Sequence, residues 1–361
     1  MLDRQPEALA LLDEAQALAA PDFNAELAQI HYLRGSLYFP IGNISGSLAE
    51  QKLALEHARA SGSIELQLRA LSGQADAHYA NGHIVSSYEH FRECVEMSRK
   101  HHMGQIEAAN LPMVAFAALL MGNLDEVDTT SQAALKVTQR MGNRRAEIVA
   151  HHGCVMAHLE RGEVELARPH AQAAVDLSRA IGARRFEPES MVMVAACMLY
   201  EGNRIRATAM MREALAKARE HISYCGGMIL GAMARATDDP EERRRCLEEG
   251  EQILNAGATA HNHVFFYREA IEVALEAHDW PAVLHYADLL ERQFRSEPFA
   301  FVDFVAARAR ALAAVGQGRR EPALLSQLQQ LLHTARASRF ALQIPALEAA
   351  IATPGWDGPQ S

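Results

Sequence analysis

The sequence predicts an all-α fold, a solenoid of antiparallel helix pairs that repeats about every forty residues. Three observations carry this. Gly42, Gly82, Gly122, Gly162 and Gly202 stand forty residues apart in a chain with only 22 glycines among 361 residues, and three of them precede asparagine (Asn43, Asn123, Asn203). A second set shares the spacing: Ala54, Cys94, Ala134, Ala174 and Ala214, each followed by an aliphatic (Leu55, Val95, Leu135, Val175, Leu215). Hydrophobic residues make up 49% and aromatics only 6%, with alanine and leucine dominant, which suits close-packed helices. A fixed period of this length marks a repeat architecture, in which each unit buries its apolar face on its neighbours.

Residues 6–19 read as an amphipathic helix opened by Pro6 and broken at Pro21-Asp22. Counting forty back from Gly42 puts the preceding turn at Leu2. Residues 1–22 are therefore expected to be the second helix of an incomplete repeat, in a fragment or a reading frame that starts within a longer one; a helix serving as its own cap is the alternative.

Residues 23–222 hold five repeats of helix, glycine turn, helix and a looser turn. The looser turn is marked by Gly62, Gly142 and Gly182, with Gly104 displaced by two. Glycine suits both turns, because helices often end in a left-handed residue where a side chain is costly. Arg59, Arg99, Arg179 and Arg219 share a further register, with Gln139 in the empty slot, and read as solvated helix ends complementing the dipole.

Residues 223–352 read as degenerate helix pairs. A helix is expected from Gly227 to Ala236, followed by one with Asp239 as cap, Pro240 at its first position and Glu242 closing a capping box. Within it, Arg243-Arg244-Arg245 form a solvated face. Asn262 is expected to cap an aromatic-rich helix running to Ala277, and His278–Pro281 replace the glycine turn before a helix to Phe294. Helices over 299–315 and 320–336 and a capping helix over 341–352 follow, and 353–361 is expected to be a disordered tail.

A net charge of -10 argues against nucleic acid or an anionic membrane as partner. Five cysteines without a Cys-x-x-Cys pair read as reduced, buried thiols of a cytoplasmic protein. No signal-peptide core opens the chain, and no apolar run approaches the ~18 residues of a membrane span. The phosphate-loop, dinucleotide, nucleophile-elbow and zinc-protease motifs are missing, so no catalytic residue and no cofactor is assigned. His151, Cys154 and His158 share one helical face but fall at packing positions of the repeat, which favours a seam over a zinc site. His101-His102 fall in an exposed turn. His261 and His263 would need a ligand from another helix to hold a metal.

The pattern resembles the tetratricopeptide repeat. With Gly162 as the turn, helix A positions are His151, Cys154, Val155 and His158 and helix B positions Ala167, Ala171 and Ala174; Gly35 and Tyr38 keep the usual identities. The departures are the period of forty in place of thirty-four and a weak aromatic signature, and HEAT or armadillo repeats remain an alternative. The resemblance implies a right-handed superhelix whose concave groove takes a peptide or helix. Carried onto this register, the groove residues are Tyr32, Ser36, Phe39, Arg69, Ser72, Asp76, Tyr79, Phe116, Leu119, His152, Met156, Leu159, Val192 and Tyr200.

Three segments resemble something narrower: His31–Phe39, Cys225–Gln252, and Ala260–Leu275 with Asp279-Trp280. They are similar to the C-terminal repeat region of bacterial multidomain class III adenylate/guanylate cyclases, where a cyclase domain and an ATPase module precede it. This implies a non-catalytic module regulating cyclic-nucleotide production, with upstream cyclase or ATPase domains as partners. The alternative is an effector-sensing repeat domain of a signal-transduction ATPase or transcription activator, binding a small molecule or peptide in its groove.

Overall fold

A computed structural model describes residues 5–38 and 43–356, so Gly42, Phe39 and the end of the tail lie outside it. Helix α1 (Gln5–Leu18) precedes five pairs: α2 (Asn24–Tyr38) with α3 (Ile44–Ser61), α4 (Ile64–Ala80) with α5 (Ile84–Lys100), α6 (Gly104–Leu120) with α7 (Leu124–Met141), α8 (Arg144–Glu160) with α9 (Val164–Ala180), and α10 (Glu187–Tyr200) with α11 (Arg204–Ala218). Three further pairs follow: α12 (Ile222–Ala236) with α13 (Pro240–Asn255), α14 (Ala260–Glu276) with α15 (Trp280–Gln293), and α16 (Ala300–Gly316) with α17 (Pro322–Ala337). Helix α18 (Ile344–Ala352) closes the array. Among the described residues there is no strand, and no helix is long and apolar enough to cross a membrane.

The forty-residue register is physical. Ala54, Cys94, Ala134, Ala174 and Ala214 are all fully buried, where each second helix meets its neighbours and only a small side chain fits. Asn43 and Asn123 cap the helices after their turns, accepting from Gly46 N (3.1 Å) and Glu126 N (3.4 Å). The arginine register is half of a pairing. Arg99 Nε donates to Glu107 (2.7 Å), Gln139 Nε2 to Glu147 (3.0 Å) and Arg179 Nε to Glu187 (3.0 Å), each tying a second helix to the first turn of the next repeat.

Several local expectations are corrected. The left-handed residue forty after Gly62 is His102 (φ 56°); Gly104 merely starts α6. His278 (φ 55°) does the same between α14 and α15. Asn262 is no cap: Thr259 precedes the helix, and the buried Asn262 amide donates to Tyr224 O (2.8 Å) and accepts from Met228 N (3.1 Å), locking α14 to α12. Glu242 does not close a capping box, because Arg212 and Thr237 take its carboxylate. Arg243 is not merely solvated, since it donates to Ala234 O (3.0 Å) and Thr237 O (2.6 Å) at the end of α12. Thr353–Trp356, expected in the disordered tail, packs back: Trp356 Nε1 donates to Ile351 O (3.0 Å) under the Arg320 guanidinium.

The last three pairs return across the inner face of the first ones. Glu297 accepts from the backbone of Val85 (2.9 Å) and Ser86 (3.2 Å), placing a carboxylate at the positive end of α5. Arg268 of α14 pairs with Glu160 of α8, and Arg339 with Asp125 (3.3 Å). The turn glycines act as a landing strip. Phe294 lies against Gly82, Phe301 and Phe340 lie against Gly122, and Ala341 lies near Gly162, whereas nothing approaches Gly202. The superhelix therefore closes on itself around a narrow lumen.

A two-chambered lumen as candidate binding site

The first helices of successive pairs line the lumen, and one helical turn along each divides it into two chambers. On α6 the step runs from Phe116 to Leu119, on α8 from His152 to Met156, on α10 from Glu189 to Val192, and on α14 from His261 to Phe265.

The first chamber, about 270 Å³, is the more polar in its side chains, although most of its wall area is apolar. Its wall carries Asp76 and Tyr79 from α4, Ser47 and Gln51 from α3, His152 from α8, Arg185 and Glu189 from the start of α10, Tyr224 from α12 and His261 from α14. The Tyr79 hydroxyl lies 2.6 Å from His261 Nδ1, and both rings pack on Phe116. Burial keeps both Tyr79 and Tyr224 protonated, raising them well above the ordinary phenol. It also pushes His261 down, only partly opposed by Glu189. Asp76 is raised to about 7 by burial, against the pull of Arg185. Burial works to raise Glu189 too, but the charges of His152, His261 and Arg185 hold it below the usual carboxylate range.

The second chamber, about 300 Å³, is mainly apolar, with Leu119, Leu120, Met156, Val192, Met193, Phe265, Phe301 and Phe340 on its wall. A chain of ion pairs edges it: Glu160 with Arg268, Arg268 with Glu269 (3.3 Å), and Glu269 with Arg235 (3.0 Å).

Of the residues expected to face the groove, Ser36, Asp76, Tyr79, Phe116 and His152 line the polar chamber. Leu119, Met156, Leu159, Val192 and Tyr200 line the apolar one. Tyr32, Arg69 and Ser72 line neither: Tyr32 packs against the core cluster that contains Leu55, Leu68 and Leu71, and Arg69 pairs with Glu65 (2.7 Å). Phe39 lies outside the described residues.

Sequence reasoning missed Gln51, Arg185, Glu189, Tyr224 and His261. Gln51 sits on a second helix, and its side chain crosses between Gly35 and Gly73, either of which would clash with it if it bore a Cβ. Arg185 precedes α10 and Glu189 lies in its first turn, ahead of the stretch that carries the repeat signature, while Tyr224 and His261 belong to helices outside the strict register.

His151, Cys154 and His158 sit in the seam between α8 and α9. His151 Nδ1 is 2.9 Å from His170 Nδ1, His158 pairs with Glu163 (2.8 Å), and Cys154 is buried. Burial and the adjacent His170 push His151 down to about 4. Among the described residues no group of three or more His, Cys, Asp or Glu side chains could hold a metal ion.

No protein-family model matches the chain, and no curated protein matches it. Solved structures do. A Rap protein complexed with competence and sporulation factor aligns with a TM-score of 0.62 at 12% identity, covering 97% of this chain and 94% of that one. The apo form of RapI aligns at 0.50 with 9% identity, over 81% and 97%. A signal transduction ATPase with a tetratricopeptide repeat sensor, from Pyrococcus horikoshii, aligns at 0.50 with 17% identity, over 71% of this chain and 41% of that one. At these identities the likeness is one of fold: this chain is a tetratricopeptide-like helical solenoid.

Proposed function

We propose that the chain is a non-catalytic interaction and sensing module whose lumen seats a short peptide or an extended segment of a partner protein. The observation that carries this reading is the lumen itself. Inner helices of eight successive pairs converge on two adjoining chambers, one richer in polar side chains and one apolar, large enough together for a few residues. Such a surface offers side-chain pockets in series, as an extended peptide requires. The competence and sporulation factor named with the Rap structure supports a ligand-bearing reading by analogy of fold.

The finer part of the proposal is a link to cyclic-nucleotide signalling, with cyclase or ATPase domains as the regulated partner in the cytoplasm. It rests on the sequence resemblance of residues 31–39, 225–252, 260–275 and 279–280, and five free, buried thiols suit a reducing compartment. Affinity capture with this chain from its own cells, read by mass spectrometry, tests it. A cyclase-bearing polypeptide is the expected catch, and reproducible partners without one would contradict the link.

A second reading has a specific observation behind it. The polar chamber is the size of a small metabolite, so the chain would equally serve as the effector-sensing domain of a signal-transduction ATPase. Stabilisation by a single metabolite, with no response to peptides, would favour this reading.

A further inference from the structure

The polar chamber holds two buried hydrogen-bond acceptors that no group among the described residues satisfies. Glu189 is 2% exposed, and its Oε2 has no partner. Its Oε1 meets only the Nδ1 edge of His152, at 3.5 Å. His152 uses its other ring nitrogen on Ser190 Oγ (2.7 Å), whose own proton goes to Phe186 O (2.9 Å). Gln51 is 1% exposed; its amide nitrogen donates to Tyr32 O (3.1 Å), while its Oε1 is unpartnered. The Asp76 carboxylate makes no hydrogen bond or ion pair among the described residues, although it faces the same space. Three acceptors on three different helices thus face one space with no donor in hydrogen-bond reach among the described residues. Leaving the buried Glu189 and Gln51 oxygens unmatched costs free energy that a ligand donor would recover.

The charges agree. Two carboxylates face the chamber and one guanidinium, Arg185, which lies over the rings of Tyr224 (4.5 Å) and Phe186 (5.1 Å) with no carboxylate at ion-pair distance. With both carboxyls ionised the chamber lacks one positive charge, and its aromatic walls at Tyr79 and Phe116 suit a cation. Arg185 is left free to meet a carbonyl or carboxylate on the same ligand.

We infer that this chamber is a seat for a cationic nitrogen group, the ammonium or guanidinium of a basic residue or free basic amino acid, held by Asp76, Glu189 and Gln51. The inference rests on the lumen being a ligand seat and names the chemistry of one of its chambers. Protonation belongs to the same picture. Asp76 is faced by Arg185, Glu189, His152 and His261 from the opposing helices, and a bound cation pulls it into its charged form.

The test is selection from a random tripeptide library on the purified chain, with mass spectrometry of what is retained. Lysine- and arginine-containing peptides are expected to be enriched about tenfold over the input. Asp76→Asn, which breaks no contact of the folded chain, and Glu189→Gln are each expected to lose most of that enrichment, with circular dichroism confirming their helix content. Retained peptides without basic enrichment would overturn the cation seat while leaving the lumen as a peptide site. If no peptide is retained, the peptide reading falls, and free L-lysine against L-norleucine decides the chamber. Thermal stabilisation by lysine alone, absent in Asp76→Asn, upholds the seat, and equal responses overturn it.

Discussion

The Tyr79 hydroxyl reaches Nδ1 of His261 at 2.6 Å across 182 residues of sequence, joining the end of α4 to the start of α14 inside the lumen. This contact closes the superhelix, so a ligand must be held between walls that already touch. Tyr79→Phe removes the hydroxyl and leaves a buried imidazole nitrogen unpaired, which is worth about 1–3 kcal/mol. Urea unfolding should show that loss, and a double-mutant cycle with His261→Leu should give a non-zero coupling. Additivity of the two changes would place the contact outside the folded chain in solution.

The turn glycines give a second check on closure. Gly122 and Gly202 share φ values of +83° and +79° and the same register position, so alanine strains both backbones alike. A Cβ on Gly122 would also meet Phe340 at 2.8 Å and Phe301 at 3.4 Å, whereas Gly202 has open space. Gly122→Ala should therefore be the more destabilising by about 1–3 kcal/mol. Equal losses would mean that the C-terminal pairs do not land on this strip.

Arg268 and the buried Glu160 form a largely shielded ion pair bridging α14 and α8. Arg268→Ala leaves the Glu160 charge uncompensated and should cost about 3–5 kcal/mol, while Glu160→Leu with Arg268→Met should restore most of it. Thermal melts of the three proteins make the comparison.

Asp76 supplies a pH signature. Its carboxyl is raised from 3.8 to about 7 by burial, so between those values the folded chain holds a proton that the unfolded chain releases. Stability from this group is complete below about pH 4 and falls as pH rises towards 7. Asp76→Asn should accordingly raise the melting temperature at pH 8, by roughly 2 °C, and leave it unchanged at pH 4. A gain that is the same at both pH values would contradict the raised carboxyl.

The repeat architecture was legible because packing imposes it locally. Ala54 through Ala214 must be small wherever a second helix meets its neighbours, and a left-handed turn selects glycine every forty residues. The Arg99–Glu107, Gln139–Glu147 and Arg179–Glu187 pairs were also open to reading, since their spacing of eight recurs, yet the arginines alone look like helix ends. Closure was not legible. Tyr79–His261 and Arg268–Glu160 join residues more than a hundred apart, and each is made once, so no periodicity announces it. The same holds for the polar chamber, where Gln51 and Glu189 came from positions that look like ordinary repeat surface.

Metal dependence is a further point of decision. His151, His158 and His170 cluster in the α8–α9 seam as ring contacts, so a chelator should leave the melting temperature unchanged. A fall of several degrees would return that cluster to consideration as a ligand set.

The most direct test of the lumen as a ligand seat is hydrogen exchange, read by mass spectrometry, of the chain with and without the peptides it retains from a random library. Protection is predicted on the inner helices α4, α8, α10 and α14 around Asp76, His152, Glu189 and His261, with α5, α9 and α13 unchanged. Protection confined to the outer helices, or none with a peptide demonstrably bound, would contradict it.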